Sequence, residues 1–301
     1  MFKKKTLNKI KSLQLQGNYI WFLLPALIVF IIGVIVPLVI GFYYSTTDWD
    51  GVSKTINFVG FKNYINLFKE KRLCNSIIFT LKFVILNTII QNIFALGFAL
   101  IVDSKIKGRN FLRTAIFIPC LLSPILVGYL WRKIFTLVLP SLVEIMKWGI
   151  NLSSVDLLSR PETVLSGILV INNWQWIGYW MIIYLAGLQS VPEELYEAAS
   201  IDGGNIFHKF FHITLPLIAP SITICIVYLT VGSFQTYDLI LSATGGGPGH
   251  ASEILVMYIY NVAFANQKIG FASANSIVFF IFLLILAILQ LRILRKREVQ
   301  L

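Results

Sequence analysis

The sequence predicts an all-α integral membrane protein with six transmembrane helices and both termini in the cytoplasm. Three observations carry that expectation. First, the 301 residues are 57% hydrophobic and only 13% charged, with a mean hydropathy of +0.77, whereas a soluble domain carries about 25% charged residues. Second, the charges are segregated: none falls between Lys11 and Asp48, Lys82 and Asp103, Arg113 and Arg132, Glu162 and Glu193, Lys209 and Asp238, or Lys268 and Arg292. Each gap can house a helix crossing a hydrocarbon core ~30 Å thick, which takes roughly 20 apolar residues. Third, no alternating strand pattern of the barrel type is present. Lipid offers the backbone no hydrogen-bond partner, so helices remain as the spanning structure.

The expected spans are residues 19–45, 76–102, 111–135, 162–188, 217–237 and 272–294, with tails at 1–18 and 295–301. The first is read as a retained helix. Its uncharged run from Ser12 to Thr47 is too long for the 7–15-residue apolar core of a cleaved signal peptide. Orientation follows from the basic residues. One side receives Lys3, Lys4, Lys5, Lys9 and Lys11, then Lys105, Lys107, Arg109 and Arg113, then Lys209, and finally Arg292, Arg295, Lys296 and Arg297. Basic loops and short basic tails favour the cytoplasm. The net charge of +11 is then largely a topology signal. Nucleic-acid binding is a poor alternative, because no soluble basic domain exists to do it. Cys74, Cys120 and Cys225 lack paired spacing, so neither a disulfide framework nor a metal site is expected.

The connections differ in character. The outer loop at 46–75 is polar with interfacial aromatics, and residues 136–160 are spaced for a short amphipathic surface helix. Gly245-Gly246-Gly247-Pro248-Gly249 cannot continue a helix. The segment 190–216 is polar and sharply punctuated between two long apolar runs, so it belongs at a membrane surface. Ser190 and Glu193 have capping-box spacing, and Pro192 suits a first turn. A helix from Leu195 to about Asp202 is stopped by Gly203-Gly204. A second amphipathic piece carries Phe207, Phe210, Phe211 and Ile213, and Pro216 and Pro220 redirect the chain.

Glu197-Ala198-Ala199, Gly203 four residues on, and Ile213-x-Leu215-Pro216 resemble the EAA loop of ABC importer permeases. The fuller wording Pro192-x-x-Leu195-Tyr196-Glu197-Ala198-Ala199-x-x-Asp202-Gly203 is similar to the carbohydrate-uptake branch, the relatives of the maltose transporter's first membrane subunit. Supporting pieces are Leu185-Ala-Gly-Leu-Gln189, Gly246-Gly-Pro248, and Tyr258-Ile-Tyr260 through Phe271-Ala-Ser-Ala274, so the resemblance covers roughly residues 75–294. Gly204 departs from it, since relatives commonly carry alanine there. The resemblance implies a type I ABC importer permease core at 75–294 with the coupling loop at 190–216. It also implies a second permease subunit, heterodimeric with this one, a cytoplasmic ATPase dimer, an extracellular solute-binding protein, a sugar substrate and a prokaryotic plasma membrane. Glu197 and Asp202 would then give polar contacts to the ATPase, Ala198 and Ala199 close docking, and Gly203 the turn.

The sequence itself requires an outside energy source. It contains no Gly-x-x-x-x-Gly-Lys-Ser/Thr loop, no His-Glu-x-x-His and no nucleophile elbow. No cofactor or catalytic residue is therefore expected, and ATP is left to partner subunits. Substrate contacts are expected on the fourth span, where Asn172, Gln175, Trp176 and Tyr179 share one helix face, and on the fifth, where Ser233, Thr236 and Tyr237 share another. Amides exchange hydrogen bonds with hydroxyls in both directions, and aromatic faces suit the apolar side of a pyranose. The family's sugar site lies on the corresponding helices. The same residue types also serve helix–helix packing. A glycerol-3-phosphate permease stays open as an alternative. An ion-coupled secondary transporter fits less well, because the spans lack a set of intramembrane carboxylates.

Overall fold

The structure, a computed structural model, describes residues 22–104, 106–146, 156–296 and 298. In chain order the helices are α1 (Phe22–Ser45), α2 (Lys62–Leu67), α3 (Lys71–Asp103), α4 (Arg109–Phe117), α5 (Pro124–Ile145), α6 (Val164–Gln189), α7 (Glu193–Ile201), α8 (Ile206–Leu217), α9 (Ala219–Phe234), α10 (Asp238–Ala243), α11 (Leu255–Ala265) and α12 (Ile269–Arg295). Among the described residues α1, α3, α5 and α12 are long and apolar enough to cross a membrane. The pair α8 and α9, bent by 67° at its break, makes a fifth candidate. The bend falls where Pro216 and Pro220 were expected to redirect the chain. Helix α6 has 26 residues and no charge. It is long enough, at about 39 Å for 1.5 Å per residue, but Asn172, Asn173 and Gln175 dilute its apolar character.

The chain forms two compact units. The smaller joins the residues up to Asn66 with Val262–Val278. Here the buried Asn63 amide donates to the carbonyls of Ser45 at 2.9 Å and Thr47 at 2.7 Å, satisfying acceptors that the end of α1 leaves open. The N–H of Gly270 donates to the Trp49 carbonyl at 2.9 Å. A side chain at Gly270 would place its Cβ 2.1 Å from the Thr47 carbonyl oxygen, so this contact requires glycine.

The larger unit runs from Leu67 to Asn261 and resumes at Phe279. Its spine is α3 lying along α6, with α9 against both, α4 against α6, and α10 against α5. Phe83, Ile168, Ile171, Ile240 and Met257 form one core, and Ala95, Ala99, Met181 and Cys225 another. Small residues set the approach of the helices, as is usual in membranes. A Cβ at Gly178 would lie 2.1 Å from the Ile116 carbonyl oxygen, and one at Gly187 would lie 2.3 Å from Ser221 Oγ.

Three local expectations change. The span expected at 111–135 is broken: α4 ends at Phe117, a 3-10 turn covers Ile118–Leu121, and Leu122 and Ser123 are extended before α5 begins at Pro124. Pro124 forces this, since a residue preceding proline is driven out of the helical region. The separate surface helix expected at 136–160 is instead, up to Ile145, the end of α5; residues 147–155 lie outside the described set. Finally, Ser190 closes α6, its hydroxyl donating to the Gly187 carbonyl at 2.7 Å, while the residue capping α7 is Pro192.

Candidate functional site

Helix α7 spans nine residues and none of them is buried. Glu193 and Glu194 stand in its first turn, where the helix dipole favours negative charge. Its end is a full Schellman turn: the Gly203 N–H donates to the Ser200 carbonyl and the Gly204 N–H to the Ala199 carbonyl. Gly203 has φ +77° and Gly204 sits so close to Ala199 that a Cβ would lie 2.7 Å from its carbonyl oxygen. Glycine at 204 therefore tightens the turn. Gly203→Val should strain this turn by about 1–2 kcal/mol and lower the melting temperature of the detergent-solubilised protein, while the amount of membrane-inserted chain stays constant. Two contacts brace α7 from one side: the hydroxyls of Tyr196 and Thr214 at 2.9 Å, and Lys209 Nζ donating to Ser200 Oγ at 2.6 Å. Glu197, Ala198 and Asp202 are exposed, and Ala199 is half-buried. Around them Ile201, Ile206, Phe207 and Phe211 are also exposed.

A cavity of about 240 Å³ opens in the larger unit. Its walls are Asn87 and Gln91 of α3, Asn172, Trp176 and Trp180 of α6, Gly232 and Ser233 of α9, and Gln235, Thr236, Tyr237 and Asp238. An amide chain holds the walls together. Asn172 Nδ2 donates to Asn87 Oδ1 at 2.9 Å, Asn87 Nδ2 to Ser233 Oγ at 2.8 Å, and Gln91 Nε2 to the Asn172 carbonyl at 3.1 Å. Asn173 Nδ2 also reaches Asn87 Oδ1, at 3.2 Å. With its walls hydrogen-bonded to one another, the lining is pre-set; Gln235, Thr236 and Tyr237 add polar groups, and Trp176 and Trp180 add flat apolar faces.

Of the residues expected at a binding face, Asn172, Trp176, Ser233, Thr236 and Tyr237 are brought together on this lining, but Thr236 and Tyr237 reach it from beyond the end of α9 at Phe234 and not from a helix face shared with Ser233. Two are not. Gln175 is fully buried and donates to the Leu122 carbonyl at 2.9 Å, supplying a donor to the extended break between α4 and α5. Tyr179 is exposed and meets Trp176 and Trp180 edge-on, with centroids 6.2 and 5.0 Å away. Sequence reasoning missed Asn87, Gln91, Trp180, Gln235 and Asp238. A signal existed for the first two: amides one helical turn apart in a largely apolar span. Among the described residues, no group of three or more His, Cys, Asp or Glu could hold a metal ion.

Residues 91–299 match the family described as binding-protein-dependent transport system inner membrane component. The chain is 36% identical over 286 residues, covering 95% of itself and 97% of the relative, to the probable starch degradation products transport system permease AmyD of Thermoanaerobacterium thermosulfurigenes. It is 31% identical over 274 residues, covering 91% and 93%, to the sn-glycerol-3-phosphate transport system permease UgpA of Agrobacterium fabrum. Among solved structures it resembles a chain of a bacterial alginate ABC transporter in complex with an alginate pentasaccharide-bound periplasmic protein. The TM-score is 0.82 at 21% identity, over 95% of this chain and 96% of that one. With helices and apolar spans already evident among the described residues, the match over more than half the sequence settles the class: this chain belongs to the binding-protein-dependent inner membrane components, multi-pass permease subunits of ABC importers that are not themselves catalytic.

Proposed function

We propose that this chain is one of two permease subunits of an ATP-driven sugar importer, and that α7 is where a cytoplasmic ATPase dimer moves it. The observation that carries the reading is a helix of nine residues with no buried side chain, ringed by exposed Ile201, Ile206, Phe207 and Phe211. A helix this short is marginal by itself in water, and its charges keep it out of hydrocarbon, so a protein partner is the natural cover. Glu197 and Asp202 would meet that partner by polar contacts, Ala198 and Ala199 by close approach, and Gly203 would set the exit of the chain. In this reading α6 completes a set of six spans in a type I permease fold, and both termini lie in the cytoplasm. The second permease is a different chain, and an extracellular binding protein delivers the solute. Rocking of the two permeases then exposes a midplane site to alternate sides.

The cavity bounded by Asn87, Asn172, Ser233 and Tyr237 is proposed as this subunit's share of that site. Its 240 Å³ falls below the roughly 300–1,000 Å³ of ordinary ligand pockets, which suits a half-site completed by the second permease. Its lining holds amides, hydroxyls and indole faces, carries Asp238, and includes no Lys, Arg or His. A neutral sugar suits such a lining better than glycerol-3-phosphate does. The expected result in proteoliposomes containing the assembled complex is ATP-dependent uptake of a maltooligosaccharide that excess glycerol-3-phosphate does not inhibit. Uptake driven by an ion gradient without ATP would refute the reading. Asn172→Leu removes one hydrogen-bonding amide from the lining, worth roughly 1–1.5 kcal/mol. It should lower uptake about tenfold at unchanged complex yield, and unaltered uptake kinetics would remove Asn172 from the site.

A further inference from the structure

A charge pair with a buried carboxylate and a partly exposed guanidinium ties together the two chain segments that wall the cavity. Arg72, at the start of α3, donates from Nε to Glu253 Oε2 at 2.7 Å and from Nη2 to Oε1 at 2.6 Å, the forked geometry of a strong pair. Only 1% of the Glu253 side chain is exposed. Asn261 Nδ2 donates to Oε1 at 2.9 Å and Ser76 Oγ to Oε2 at 3.4 Å, while His250 Nδ1 stands 3.6 Å from Oε2. The guanidinium also lies over the Tyr258 ring, 5.8 Å from its centroid. Burial pushes the Glu253 carboxyl up, but Arg72 and Asn261 outweigh it and hold the group below its ordinary value of 4.5. Its contribution is therefore complete above that value and is lost as pH falls through the lower, folded one.

The segment leading from the cavity to Glu253 can transmit this tie. After α10, Gly245, Gly246 and Gly249 adopt positive φ in a turn bound to itself: the Ser252 N–H donates to the Gly246 carbonyl at 3.2 Å and the Ser252 hydroxyl to the Gly247 carbonyl at 2.5 Å. Just past Glu253, the Leu255 N–H donates to Thr80 Oγ1 on α3 at 2.9 Å. A closed circuit results. From Asn87 it runs roughly 22 Å along α3 to Arg72, at 1.5 Å per residue. It crosses to Glu253, returns through the glycine turn and α10, and ends at Asp238 and Tyr237 on the cavity wall. Buried ion pairs are poor sources of stability compared with apolar packing, and their best-attested use is to fix register.

We propose that the Arg72–Glu253 pair is a positioning element of the transport cavity. It holds segment 235–254 in register on α3 and so sets the spacing between Asn87 and Gln91 on one wall and Gln235, Thr236 and Tyr237 on the other. The proposal rests on the reading of this cavity as the transport site. The test uses the assembled importer in a cysteine-free background with paired spin labels at Ile93 of α3 and Leu241 of α10, both exposed. Three variants are compared with the parent: Glu253→Gln, the apolar pair Arg72→Met with Glu253→Met, and the swap Arg72→Glu with Glu253→Arg. In Glu253→Gln and the apolar pair the inter-label distance distribution should broaden and uptake should fall about tenfold. The apolar pair should keep parental complex yield and melting temperature, and the swap should recover part of both readouts. An unchanged distribution in an assembled apolar pair overturns the proposal, as does failure of all three variants to assemble, which would confine the pair to folding. A broadened distribution with parental uptake retains the positioning role and discards the cavity as the transport site.

Discussion

Glu197→Lys should abolish coupled uptake while leaving the chain in the membrane. Glu197 is exposed on α7, a helix with no buried residue, and surface substitutions of this kind usually change stability by about 0.5 kcal/mol or less. Insertion and amount should therefore match the parent. At a docking surface the same reversal acts differently, because juxtaposed like charges cost several kcal/mol. The expected measurement is uptake reduced at least about tenfold, on the order of 1.4 kcal/mol or more, with ATP hydrolysis by the partner ATPase persisting and no longer stimulated by the loaded binding protein. Normal solute accumulation by this variant would contradict the role given to α7.

Gly178→Ala should strongly destabilise the packing of α4 on α6. The Cβ it adds would lie 2.1 Å from the Ile116 carbonyl oxygen and 2.8 Å from Phe117 Cα. Both obstacles are backbone, so rotamer changes cannot relieve the clash and α4 must shift away from α6. Overpacking typically costs 1–3 kcal/mol, and a backbone obstacle places this site at or above the upper end. We expect a clear fall in the melting temperature and yield of the detergent-solubilised complex. Gly97→Ala is the matched control: nothing lies within 4 Å of its added Cβ, and alanine is the better helix former by about 1 kcal/mol. Equal stability of the two variants would mean that α4 does not cross α6 at this contact.

What the sequence revealed follows the range of the forces involved. Charge-free intervals and turn residues act locally, and they located α3, α6, α7 and α12 to within a few residues. The stop at Gly203 and the bend at Pro216 and Pro220 were legible for the same reason: each is dictated by what one residue's backbone can adopt. The break between α4 and α5 was missed although Pro119 and Pro124 were visible, because apolar composition alone spoke for a continuous span. Ser190 had the spacing of a cap but lies at the end of α6, whose last carbonyls compete for its hydroxyl. The cavity was legible in part. Asn172 and Trp176 share a helix face that periodicity can identify, whereas Thr236 and Tyr237 lie past the end of α9 at Phe234, and Asn87 is defined by its bonds to residues 85 and 146 positions away. Arg72 and Glu253, 181 residues apart, read as two separate loop charges until the fold joined them.

The direct test of the account is where α7 points and what it touches. A single cysteine at Ala198, in an otherwise cysteine-free chain expressed with its partners, would be treated in intact cells with a membrane-impermeant thiol reagent. Purified membranes would then receive a short bifunctional cross-linker. Protection from the outside reagent is expected, together with an adduct with the ATPase that changes in yield when ATP is added. Labelling from outside, with no ATPase adduct in the membranes, would contradict it.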